Sequence, residues 1–182
     1  MRISVGFFRR MLHQTPANEA LASLASSWAP RVQSGHVTLG LSAAEHTVHV
    51  VTAYVGAVTS GGHPAFFYAS PPETAMTVRV AQALATLRLR AVARAFGEAC
   101  CLWPGQATGP FESVAELDRA MQERARTGWS HRAVEVLDAI VWGAADLDAR
   151  LLAYLREHED QVLLPERGRA NDPGGGFAHQ TD

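Results

Sequence analysis

The sequence predicts an all-α, single-domain bundle of about seven helices, and three observations carry that expectation. Apolar residues recur at Leu41, Ala44, Val48, Val51, Val55 and Val58, the three-and-four spacing that lines one face of a helix. Ser/Thr-type caps and glycine stops punctuate the chain at helical intervals. Strict apolar–polar alternation is missing even from the β-branched run Thr47–Val55, where Val50 and Val51 adjoin and break a strand's period. At 182 residues, with 47% hydrophobic and 19% charged residues, the chain is large enough for a real core and too apolar for wholesale disorder.

The elements follow in order. MRISVGFFRRMLHQ has too short an apolar patch for a signal peptide, and it reads as a frayed terminus. Residues 17–29 form a short helix with Leu21, Leu24 and Trp28 on one side, ended by Pro30. After a loop over 31–40, Ser42 and Glu45 make a capping box that opens the central helix. Its polar stripe is confined to Glu45, His49, Thr52 and Gly56, so it is an interior helix. Gly61-Gly62 ends it by supplying a positive φ. His63 to Tyr68 then form a turn or short helix presenting Phe66, Phe67 and Tyr68.

Ser70-Pro71-Pro72-Glu73 is a helix start, with Ser70 as N-cap and Met76, Val80, Ala83, Leu84 and Leu87 on the buried face. Trp103-Pro104-Gly105 closes that segment, and residues 106–110 are a surface loop. A second capping box, Ser113 with Glu116, opens a helix that stops near Gly128. The next helix runs from Ser130 to Trp142 through Val134, Leu137, Ile140 and Val141, and Asp146 starts the last, with Leu147, Leu151, Tyr154 and Leu155 inward. The domain is expected over 1–164, with a mobile tail over 165–182.

The run LSAAEHTVHVVTAYVGAVTSGGHPAFFYASPPE (Leu41–Glu73) resembles the core motif of the DMP-type DNA-mimic protein family, a helical bacterial group mostly of unknown function. The matching positions are Gly61, Gly62, Phe66, Phe67, Tyr68 and Ser70, and Leu137–His158 is similar to the family's closing helices. The family-like core is thus 41–164. In that family the helix after the aromatic cluster breaks at an Ile-Gly-Ala-like step, which here falls near Leu87-Arg88-Leu89 without a glycine, so one long helix and two short ones are both open from Pro71 to Leu102. The resemblance implies a non-enzymatic interaction protein, able to form a homodimer, that blocks a DNA-binding partner by presenting acidic side chains as phosphates; the cytoplasmic setting is expected from two cysteines that form no disulfide framework. Glu112, Glu116, Glu123, Glu135 and Asp138 are the candidate acidic face.

Charge qualifies that expectation. Residues 1–110 carry eight Arg and four Glu, whereas residues 111–160 carry eleven acids and six Arg. Duplex DNA bears one charge per roughly 1.7 Å, a density far above this chain's net −2. The expected partner is therefore a protein, a DNA-binding regulator or a toxin, with no direct nucleic-acid binding and no membrane span. All sixteen basic residues are arginine; those at 79, 88, 90 and 94 cluster on one segment and read as a solvated face.

The competing class is a small-ligand or metal-dependent enzyme using a pocket beside Gly61, Gly62, His63 and Tyr68, where His63 would serve as a base. Glu45, His46 and His49 share a helical face and are weak metal candidates, short of a full ligand set unless His36 or His63 joins them. Adjacent Cys100 and Cys101 form no disulfide framework and read as small core residues. No catalytic residue and no cofactor is assigned.

Overall fold

A computed structural model describes residues 5–28, 41–70, 74–103 and 131–163, with isolated positions at 119 and 122. The described residues form eight helices and no strand, an all-α fold. They are α1 (Val5–Gln14), α2 (Ala17–Trp28), α3 (Ala43–Ala69), α4 (Ala75–Thr86), α5 (Arg90–Leu102), α6 (His131–Trp142), α7 (Leu147–Glu157) and α8 (Glu159–Leu163).

Helix α3 is the axis of the bundle. It packs on α4, α6, α7 and α8, while α5 lies on α4 and α6, and α2 lies on α7. Val48, Val51, Tyr54 and Val58 are wholly enclosed. Removing each such side chain from water contributes roughly 1.5–3 kcal/mol before cavity terms. The capping box forms as its spacing requires: Ser42 Oγ accepts from the Glu45 N–H at 3.2 Å, and Glu45 Oε2 accepts from the Ser42 N–H at 2.8 Å. The second oxygen of Glu45 accepts from Trp28 Nε1 at 3.1 Å, so this buried carboxylate also joins α2 to α3.

Two stretches depart from expectation, and a third behaves as read. Residues 5–14 are helical and docked, not frayed: Met11 and Leu12 are buried, Arg9 forms an ion pair with Glu159, and the His13 ring is hydrogen-bonded to the same carboxylate. Gly61-Gly62 interrupts α3 as expected: both residues have non-helical backbone angles, Gly62 at φ 72°, and a short second helical segment follows through Ala69. Pro64 fits there because it sits in the first turn after the bend, where its missing N–H has no helical partner to lose. Ser70 closes α3 and does not open α4; its N–H bonds the Phe66 carbonyl at 2.9 Å and its carbonyl accepts from Thr77 Oγ1 at 3.2 Å. Helix α4 begins only at Ala75, after Thr74.

The chain does break at Leu87-Arg88-Leu89, and the missing glycine does not prevent it. The Leu89 N–H reaches back to the Leu84 carbonyl and the Arg88 N–H to the Ala85 carbonyl, each at 3.0 Å. These two bonds, with buried Leu84 and Leu89 behind them, make a Schellman turn. Arg88 occupies its left-handed position at φ 54°, where glycine is usual.

In α6, Val134, Leu137 and Val141 face the core, but Ile140 points outward at 38% exposure. The loop expected over 31–40, the helix expected from Ser113 to Gly128 apart from positions 119 and 122, and the tail lie outside the described residues.

Candidate functional site

The bend in α3 and a carboxylate on α6 build the most concentrated polar site in the described core. Gly62 has φ 72° and ψ −177°, a combination that only glycine adopts readily. A Cβ at that position would collide with Asp138 Oδ2. The bend therefore needs glycine twice over, for backbone angle and for space.

Directly after the bend, both nitrogens that His63 can offer on this side go to one oxygen. Its backbone N–H donates to Asp138 Oδ1 at 2.9 Å, and its ring Nδ1 lies 2.5 Å from the same atom. On the far side of the ring, Tyr54 Oη stands 2.8 Å from Nε2. With Nδ1–H donating to the carboxylate, Nε2 is left as acceptor for the tyrosine O–H. Every bond in the chain Tyr54, His63, Asp138 then has one donor and one acceptor.

Burial decides the charge of this chain. His63 is 1% exposed, and loss of hydration pulls its pKa down more strongly than the Asp138 contact lifts it, so the imidazole is neutral. Tyr54 is pushed up, first by burial and then by the fields of Cys100 and Asp138, and keeps its proton. Phe66, Phe67, Phe96 and Trp103 enclose the group, with Phe67 stacked on the imidazole at 6.0 Å and Phe66 edge-on to Tyr54 at 5.1 Å.

The triad order resembles a hydrolase's acid, base and hydroxyl, but the hydroxyl here is enclosed in the core, out of reach of a substrate. What the arrangement does chemically is satisfy three buried polar groups and lock α3 to α6. Surface clefts of about 470 Å³ and 320 Å³ open elsewhere, at the α4–α5 turn and between α3, α6 and α7, and are not lined by Gly61, Gly62, His63 or Tyr68.

The other expected site residues separate. Phe66 and Phe67 are core, whereas Tyr68 is half-buried against it and Ser70 sits at the end of α3. Asp138 does not belong to an acidic face: it is 5% exposed and turned inward to His63. Glu135 is exposed as expected, and Glu112, Glu116 and Glu123 lie outside the described residues.

Glu45 turns away from any metal role, since its two oxygens serve Ser42 and Trp28. His46 and His49 are half-buried neighbours; burial lowers both pKa values, helped by Arg79 at His46 and by His46 at His49. No cluster of three or more His, Cys, Asp or Glu able to hold a metal occurs among the described residues. Cys101 is exposed, contrary to a core role, while Cys100 packs against the core and burial pushes its thiol up to about 12.

Tyr54, His63 and Asp138 all fall within the part of the chain that a family model recognises. The model is described as DMP19-like protein, and it matches residues 40–158. The chain belongs to the DMP19-like protein family. No curated protein and no solved structure matches the sequence. In this DMP19-like chain the matched segment runs from just before α3 to the end of α7, so it contains the bend and the carboxylate that braces it. The sequence did not foretell the Asp138 contact, because its partners stand 75 residues apart. The one available signal was an acid in an otherwise apolar register, beside Leu137 and Val141.

Proposed function

We propose that this DMP19-like chain is a non-enzymatic protein-interaction domain that works through the outer face of α6. The observation that carries the reading is three large apolar side chains standing in solvent on that helix: Val136 at 57%, Ile140 at 38% and Trp142 at 56% exposure. Val136 and Ile140 stand one turn apart on one face, whereas Trp142, two residues past Ile140, stands on another flank beside the central helix. An exposed apolar pair together with a fixed aromatic exceeds the single exposed residue that needs no explanation. Trp142 is also held in place, since its Nε1 donates to the Val58 carbonyl at 3.2 Å while the ring remains exposed. A fixed aromatic of this kind suits the centre of an interface.

Acids stand on the Trp142 flank: Glu135 lies two turns before Trp142, and Asp148 shares with it the cleft of about 320 Å³ between α3, α6 and α7, while exposed Arg132 lies one turn before Val136. The partner that fits is a protein with a basic surface around an apolar patch, as a DNA-binding regulator presents. Apolar contacts beside the acids would make the association less salt-sensitive than charge mimicry alone, because salt screens charges and not apolar burial.

Affinity capture of a partner, followed by competition, tests this. The expected result is that Val136→Glu with Ile140→Glu abolishes capture and leaves the melting temperature within a degree or so of the parent, as surface changes do. Duplex DNA is expected to displace the partner, because both contact its basic surface. Capture by the double variant at the parental level would overturn the assignment to α6, and indifference to duplex DNA would remove the DNA-binding class of partner.

A further inference from the structure

We infer that the cleft between α3, α6 and α7 receives an arginine side chain of the partner protein, its guanidinium lying on the Trp142 indole and donating to the Asp148 carboxylate. The inference rests on the reading of α6 as an interaction surface and names the group on the partner that this flank recognises.

Three observations meet at the cleft. The first is an aromatic surface that is both open and fixed. Trp142 lines the cleft at 56% exposure, and its Nε1 donates to the Val58 carbonyl at 3.2 Å, so the indole is held without being covered. A cation over an indole face is attracted by the ring's quadrupole, and a ring already fixed loses little freedom in making that contact. The second is a carboxylate with nothing to neutralise it. Asp148 is exposed and makes no ion pair or side-chain hydrogen bond among the described residues, whereas nearby Asp146 is held by Arg150 at 2.5 Å. No described cation lines the cleft. The third lies in the backbone. Thr59, in the last turn of α3 before the bend, also lines the cleft. The carbonyls of that turn form the negative pole of the helical segment and favour positive charge.

Shape selects arginine among cations. A volume of about 320 Å³ is at the lower limit for small-molecule pockets and gives room for one long side chain. Half-buried Val55 and Ala144 border the cleft and offer accessible aliphatic surface to the stem, with Val141 and Leu147 buried behind them. A planar guanidinium can lie flat on the indole while its fork engages both carboxylate oxygens, which an ammonium cannot do.

N-acetyl-arginine amide and its lysine and citrulline counterparts are the probes, followed on the full chain through the Trp142 indole and the Val55 and Ala144 methyl resonances. The arginine amide should shift these signals saturably, with a Kd in the millimolar range set by one cation–π and one charge-assisted contact. The lysine amide should bind more weakly, and the uncharged citrulline amide should leave the signals unmoved. Asp148→Asn should weaken the arginine probe roughly tenfold and, at an exposed position, leave the melting temperature unchanged. Trp142→Leu should weaken it several-fold, read on the methyl signals. Lysine or citrulline binding as well as arginine, parental affinity in Asp148→Asn, or no response at tens of millimolar would each overturn the proposal. Partner capture separates it from the reading it rests on. Capture lost in Val136→Glu with Ile140→Glu but unchanged in Asp148→Asn overturns the cleft alone, whereas saturable arginine binding with parental capture by the double variant removes the apolar pair and leaves the cleft.

Discussion

His63, Tyr54 and Asp138 differ in what their removal leaves behind, and that difference ranks the effects of substituting them. Tyr54→Phe deletes one donor and leaves Nε2 of the imidazole without its partner, a cost of about 1–2 kcal/mol. His63→Leu leaves the buried Asp138 carboxylate with only a backbone N–H, which costs roughly 3–5 kcal/mol. Gly62→Ala combines a forbidden backbone angle with a side chain driven into the same carboxylate, and it should destabilise by more than about 2 kcal/mol. Urea denaturation of the three variants checks the order, Tyr54→Phe being the mildest.

Acid should weaken the fold through His63. Burial depresses its pKa in the folded state below the ordinary 6.5, so between those two values the unfolded chain binds the additional proton. Stability from this group is intact above pH 6.5 and declines as pH falls from there towards the depressed folded value. His46 and His49 shift in the same direction, less shielded from solvent. Urea midpoints at pH 7.5 and pH 5.5 measure the sum, and the decline should shrink in a folded His63→Gln variant. An unchanged decline would assign the effect to the other histidines.

Elements were legible where a local pattern determines them. The Ser42–Glu45 capping box and the buried spacing of α3 needed only neighbouring residues, and both appear as read. The sequence does not decide the break at Leu87-Arg88-Leu89, because an arginine in the glycine position hides it. Arg88→Gly should accordingly stabilise the chain by about 1 kcal/mol, visible in thermal denaturation. Helix α1 was missed for the opposite reason. What holds it lies at the other end of the chain: Arg9 and His13 both reach Glu159, at 2.7 Å and 2.9 Å, and Arg156 donates to the Leu12 carbonyl. The two partners depress the Glu159 carboxyl pKa, His13 most and Arg9 next. Glu159→Gln, or high salt, should speed amide exchange in α1 while leaving α3 protected.

Across the whole molecule, the all-α class and the family were readable because they rest on periodicity and short motifs, whereas the position of side chains in space was not. Asp138 and Glu135 are three residues apart on α6 and look alike in sequence, yet one is in the core and the other in solvent. Ile140 shares its apolar character with Val141 but faces the opposite way. Helical phase alone assigns neither pair; the place of α3 and α5 against α6 does.

Asp138 grips the residue just past the bend by main chain and by ring together, so the angle of one helix and the seating of the other form a single bracket. The exposed indole, itself pinned to the first arm of that bracket through Val58, inherits its aim from the bend. Substitutions deep inside, with no atom at the surface, should therefore misdirect the contact patch, and loss of a partner is no proof that the altered residue ever touched it.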